Sequence, residues 1–163
     1  ALMQHRFAVK LLSAARGMGI HTALDTNGHY GDRLTDDDLT SIDLVLLDLK
    51  GFDAERHRRL TGMDNGPTLA FARRLGQALK PIWVRYVLVP GLTDDPEDVG
   101  AVARFAGGLG SVERVDVLPF HQMGQFKWTQ LGLNYALAGV APPSRELVEK
   151  TCAAFRAEGL KAY

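Results

Sequence analysis

Hydrophobic and polar positions along the chain switch between two periods. Phe7, Leu11, Ala14, Ala15 and Met18 recur at helical spacing with Arg6, Lys10, Ser13 and Arg16 opposite, which predicts an amphipathic helix almost from the first residue. Four short apolar runs follow, Ile20 to Leu24, Leu44 to Leu49, Ile82 to Val89 and Arg114 to Leu118, and predict strands. Helical patterns lie between them, Asp53 to Leu60, Pro67 to Leu79 and Pro96 to Ala106. Pro67 and Pro96 stand where a first helical turn accepts proline, and Asp94 or Asp95 is placed to cap the latter helix. Leu69, Ala72, Leu75 and Leu79 form the expected inward stripe of the middle helix. A loop rich in glycine and aromatics follows the fourth strand, and Ala141-Pro142-Pro143-Ser144 leads into a last helix with Ser144 as its cap.

Strands and helices that alternate through short links predict an α/β fold with a parallel sheet and right-handed crossovers. Leu44 to Leu47 and Val87 to Val89 are nearly continuous in apolar residues, as strands covered on one or both faces are. Four strands are too few to close a barrel, and no strand precedes the first helix to cover the sheet edge. The expectation is a partial (β/α) barrel of about four parallel strands with flanking helices, its first strands missing, filling residues 1–163 as one partial domain. The chain opens at Ala1 rather than methionine, which fits a truncated sequence.

Charge narrows the partners. Nineteen Lys and Arg balance nineteen Asp and Glu, so no global field attracts nucleic acid or an anionic membrane. The run Arg56-His57-Arg58-Arg59 reads as a solvated helix face. No stretch approaches the roughly 20 apolar residues of a bilayer span. The single cysteine, Cys152, excludes an internal disulfide and points to a reducing compartment, hence a cytoplasmic location. It falls on the apolar stripe of the last helix and reads as a packing residue. One thiol holds neither zinc nor an iron–sulfur cluster.

In parallel α/β folds, reactive side chains gather at the carboxyl ends of the strands. Asp48 and Lys50 are two apart, so they share a strand face while Leu49 points away. Together they suit a zwitterionic ligand, or they form a structural ion pair that closes the strand. Asp25-Thr26-Asn27-Gly28 reads as a turn or, alternatively, as a hard-cation site. Arg85 shares a face with Trp83, Val87 and Val89, where its charge needs a partner, a neighbouring strand's carboxylate being the expected one. His121 follows Pro119-Phe120 in a loop, where a hydrogen-bonded loop residue is the simpler reading. His5, His29 and His57 show no partner pattern, and His21 reads as a packing or surface residue.

Taken in order, four segments resemble the pyruvate formate-lyase-activating enzymes, members of the radical S-adenosylmethionine group. They are Gly19 to Gly28 ending Asp-Thr-Asn-Gly, Asp43 to Lys50, Trp83 to Gly91, and Leu118-Pro119-Phe120-His121. Gly124, Lys127-Trp128, Leu131-Gly132, Tyr135 and Pro142-Pro143 extend the likeness over nearly the whole chain. The resemblance implies that Asp48, Leu49 and Lys50 hold the ribose and methionine portions of S-adenosylmethionine and that His121 contacts the ribose. Asp25, Thr26 and the backbone of Leu46 match a monovalent-cation site, and Arg85 matches an arginine facing the barrel interior with a substrate-contact role. The implied partners are a glycyl-radical enzyme, pyruvate formate-lyase, and an electron donor such as flavodoxin, with the activase a monomer. In the family a reduced 4Fe-4S cluster cleaves the cofactor, and the resulting radical takes a hydrogen atom from a glycine of the partner.

The CxxxCxxC cluster motif and the Gly-Gly-Glu segment of that family have no counterpart here, and in sequence order Ala1 falls directly after the latter. The expectation is therefore a fragment inactive by itself. Two other readings stay open on the residues alone: a non-catalytic α/β binding module, and a barrel enzyme using Lys50 as a Schiff-base amine beside Asp48.

Overall fold

A computed structural model describes residues 1–163. A 3-10 turn, Leu2–Gln4, leads into α1 (His5–Gly17). Then come β1 (Ala23–Thr26), α2 (Asp36–Thr40), β2 (Leu44–Asp48), α3 (Ala54–Thr61), α4 (Gly66–Gln77) and β3 (Ile82–Leu88). The chain finishes with α5 (Pro96–Gly107), β4 (Val112–Pro119), α6 (Gln125–Gln130) and α7 (Arg145–Ala157). Pro67 and Pro96 do start helices, Asp95 caps α5 through the amides of Glu97 and Asp98, and Ser144 caps α7.

All strands are parallel and lie in the order β1-β2-β3-β4. Each strand joins beside its predecessor and the winding never reverses, which is the rule of a barrel wall rather than of a doubly wound sheet. One face of the sheet is buried. Leu24, Val45, Leu47, Val84, Tyr86, Leu88, Val115 and Val117 pack there with Phe71, Leu75, Val102, Cys152 and Phe155 from the helices, in one apolar cluster. The opposite face carries Asp25, Leu46, Asp48, Trp83, Arg85, Arg114 and Asp116, all half-buried or exposed. Strand alternation thus puts stability on one side and ionisable groups on the other.

Several expectations are corrected. The first strand begins at Ala23, not Ile20, because Thr22 is first tied by side chains: its amide donates to Asp43 Oδ2 at 2.8 Å and its hydroxyl to the Ser41 carbonyl at 2.8 Å. On α1 the inward residues are Ala8, Val9, Leu12 and Ala15, while Phe7, Leu11 and Met18 face solvent. The cause is position: α1 lies at the periphery and meets the core through Val9 and Leu12, so its outer half has no neighbour to cover. Leu79 is not in the α4 stripe either. It is exposed at φ 50°, a left-handed residue ending the helix, with the Lys80 amide donating back to the Leu75 carbonyl at 2.9 Å. The basic run is a solvated face at Arg58 and Arg59, with Arg59 paired to Glu55 and Arg56 to Asp95 at 2.7 Å, but His57 departs from it and is buried. Cys152 is buried as expected, and burial pushes its thiol pKa up.

The two sheet edges differ. Along β4 the C-terminus adds a short parallel partner: the Val115 and Val117 amides donate to the Lys161 and Tyr163 carbonyls, both at 2.9 Å, and the Tyr163 amide returns to Val115. The outer edge of β1 has no strand partner. No helix is long and apolar enough to cross a membrane.

Candidate functional site

The charged residues of the open face form a connected line at the carboxyl rim. Lys50 Nζ, just past β2, donates to Asp48 Oδ2 at 3.0 Å. Arg85 occupies the β3 position in register with Asp48, and its Nη1 lies 3.9 Å from Asp48 Oδ1, a Coulombic contact too long for a hydrogen bond. The same nitrogen donates to Asp25 Oδ2 at 2.6 Å, reaching across β2 to β1. Signs alternate along Asp25, Arg85, Asp48 and Lys50, so the group is neutral as a whole. Asp48 Oδ1 is buried and has no hydrogen-bond partner. A carboxylate oxygen in that condition is an acceptor waiting for a donor. Leu49 turns the other way into the core, as the alternation requires.

A cavity of about 330 Å³ opens beside this line, with Asn27, His29, Asp48, Lys50, His57 and Asp64 in its wall. Its walls are fixed from behind. Thr68 on α4 donates to the Asn27 carbonyl at 2.7 Å, and His57 Nδ1 lies 3.0 Å from the Met63 carbonyl. Gly31 lies so close to Phe71 that a Cβ there would fall 2.1 Å from the ring, so the β1–α2 link can pass only without a side chain. The turn after β3 is pinned as well: Tyr86 donates to the Thr93 carbonyl at 2.6 Å and the Val89 amide to the Thr93 hydroxyl at 2.7 Å. Burial raises the pKa of Tyr86, which keeps that phenol a donor.

The remaining candidates are placed differently. His121 follows β4 at the same end of the sheet, two strands away from β2, exposed, with Nδ1 accepting the Met123 amide at 3.4 Å. It makes no polar contact with Asp48 or Lys50. Gln122 beside it donates to the Leu137 and Val140 carbonyls at 2.7 and 2.8 Å and so closes the loop that carries it. For the cation trio, Asp25 is engaged by Arg85, whereas the Thr26 hydroxyl is on the helix-covered side accepting the Gly28 amide at 3.0 Å. Leu46 stands opposite Asp25 in the β1–β2 ladder. The side-chain oxygens of Asp25 and Thr26 therefore do not converge. No group of three or more His, Cys, Asp or Glu is arranged to hold a metal ion.

Sequence reasoning missed the groups that hold the rim. Asp98 on α5 and Asn65 before α4 bind the backbone of the β2–α3 link from 45 and 13 residues away. No local pattern announces them. The only trace is Gly51, whose φ of 148° marks a link too tight for a side chain.

Winding in one direction with ionisable residues at the carboxyl rim is the arrangement of a parallel β/α barrel wall, and solved structures share this fold. A domain of a pyruvate formate-lyase-activating enzyme from Bacteroides vulgatus superposes with a TM-score of 0.79 at 23% identity, covering 99% of this chain and 91% of that one. A radical SAM methyltransferase from Sphaerobacter thermophilus gives 0.63 at 22% identity over 90% of this chain and 41% of its own. In sequence the chain is similar to the pyruvate formate-lyase-activating enzymes. It is 40% identical to pyruvate formate-lyase 1-activating enzyme of Escherichia coli K12 over 92% of its length and 62% of that protein's, and 39% identical to the Streptococcus mutans enzyme over 100% and 64%. The chain thus spans less than two thirds of these relatives. No protein-family model matches it.

Proposed function

We propose that this chain is the cofactor-gripping part of a glycyl-radical-enzyme activase, an oxidoreductase that uses S-adenosylmethionine to remove a hydrogen atom from a glycine of pyruvate formate-lyase. The observation that carries the reading is the Asp48–Lys50 pair at the rim, with Asp48 Oδ1 buried and unpartnered. Asp48 supplies an acceptor for a sugar hydroxyl, and the Lys50 ammonium supplies a donor for the carboxylate of the methionine portion. Leu49, locked in the core, holds the two at fixed spacing. His121 on the same rim is assigned to the ribose, and Arg85 to substrate contact. A monovalent cation at Asp25, Thr26 and Leu46 would require Asp25 to exchange Arg85 for the ion and Thr26 to serve through its backbone, its hydroxyl being on the covered side.

The adenosyl donor fits these residues; the cluster does not. S-adenosylmethionine supplies, when bound, the 5′-carbon that becomes the hydrogen acceptor in the whole protein's reaction. A 4Fe-4S cluster that leaves one iron open needs three thiolates, and the one cysteine here is buried on α7. No cluster step is therefore assigned to this chain, which we expect to be inactive by itself. Flavodoxin as electron donor, a monomeric state and a cytoplasmic site complete the reading. The Schiff-base alternative is disfavoured by the engagement of the Lys50 amine with Asp48.

Calorimetric titration with S-adenosylmethionine tests the assignment. Lys50→Ala removes a charge-assisted contact and is expected to weaken binding about tenfold or more. Equal affinity in the two proteins, or borohydride trapping of a carbonyl compound on Lys50, overturns it.

A further inference from the structure

Lys50 stands just beyond the sheet. The Leu49 amide makes the last bond of this segment to β3, donating to the Arg85 carbonyl at 3.1 Å, and the chain then runs through Gly51-Phe52 to Asp53, the cap of α3. Two buried side chains from other elements fix that link. Asp98 Oδ1 accepts the Phe52 amide at 3.0 Å and the Asp53 amide at 2.8 Å. Asn65 Nδ2 donates to the Phe52 carbonyl at 2.8 Å and to the Gly51 carbonyl at 3.4 Å. Both are nine-tenths or more buried. The fit leaves no slack, because a Cβ at Gly51 would lie 2.9 Å from Asp98 Oδ2. Asp98 is itself held, its amide donating to the cap Asp95 at 3.0 Å, while Asp95 pairs with Arg56 of α3. The two donors and two acceptors that the link turns inward are thus all met by Asp98 and Asn65.

We infer that Asp98 and Asn65 are positioning residues: they set the Lys50 ammonium against Asp48 and thereby set the affinity of the rim for a zwitterionic ligand. The inference rests on the binding role proposed for Lys50. Without the clamp, the first fixed point after Leu49 is the α3 cap, and the Lys50 backbone gains rotational freedom that the ion pair must then overcome.

The test reads Lys50 directly. Its acetylation rate by acetic anhydride, measured by mass spectrometry against the exposed Lys10, reports how firmly Nζ is held. Asp98→Ala and Asn65→Ala are expected to raise it roughly two- to fivefold, the range that release of a partly exposed ion pair allows. Asp98→Asn keeps an oxygen acceptor for both amides and is expected to restore the wild-type rate, which a loss of charge alone would not do. The dissociation constant for S-adenosylmethionine should rise in the same order. Unchanged Lys50 reactivity in variants with native circular dichroism overturns the inference. Should Asp98→Ala fail to fold, Asn65→Ala and Asp98→Asn carry the same comparison. A response of Lys50 in a protein whose wild type does not bind S-adenosylmethionine supports the clamp and sinks the ligand assignment instead.

Discussion

The two faces of the sheet use the same strands for opposite ends. On the covered face, Val45, Leu47, Val84 and Val115 lie next to one another across β2, β3 and β4 and are fully buried. One residue along, Asp25, Asp48, Arg85 and Asp116 line the open face and remain partly wet. Burial of apolar area stabilises strongly, whereas exposed ion pairs contribute little. The difference teaches that the open face can be altered without unfolding the chain, because its charges add little to stability.

The contrast can be broken at several points. Phe155 is fully buried on α7 with its ring 5.6 Å from that of Tyr86, and Phe155→Ala is expected to cost about 3–5 kcal/mol in denaturant melts. Gly31→Ala overpacks the same side against Phe71 and is expected to cost about 1–3 kcal/mol. Arg85→Met removes the centre of the charged line, yet its side chain is 32% exposed and the expected loss is within about 1 kcal/mol. A loss at Arg85 as large as that at Phe155 would erase the distinction between the faces. The smallest effect is one of pH. The amide of Thr22, then its hydroxyl, holds the carboxyl of Asp43 below its ordinary value of 3.8. That contribution is fully present above the unfolded value and is lost as pH falls through the lowered folded one. Melting temperature followed downward from about pH 4 should therefore fall less steeply in Asp43→Asn than in wild type.

Where pattern and neighbours agree, the chain could be read directly. The cores of β2 and β3 and the starts of α4 and α5 follow from apolar runs and from Pro67 and Pro96. Asp48 and Lys50 follow from strand alternation alone. Elements shorter than a period escaped: α2 rests on a five-residue stretch with a Thr35–Asp38 capping box, and the C-terminal pairing involves three residues. The outward face of α1 escaped for another reason, since which half of a broad apolar stripe is buried depends on a neighbour the pattern does not contain. Arg85 was expected to find a carboxylate on an adjacent strand, and it found its short bond one strand further, at Asp25, because its length spans Leu46. The clamp by Asp98 and Asn65 had no local signature at all.

Because Lys161–Tyr163 take up the Val115 and Val117 amides of β4, the two flanks of the sheet are unequal templates for pairing. An incoming strand would meet a full strand's row of amides and carbonyls at β1 and only a three-residue stretch on the other flank, so pairing at β1 is favoured. Clipping those three residues would bare the Val115 and Val117 amides and give the molecule a second long flank for pairing.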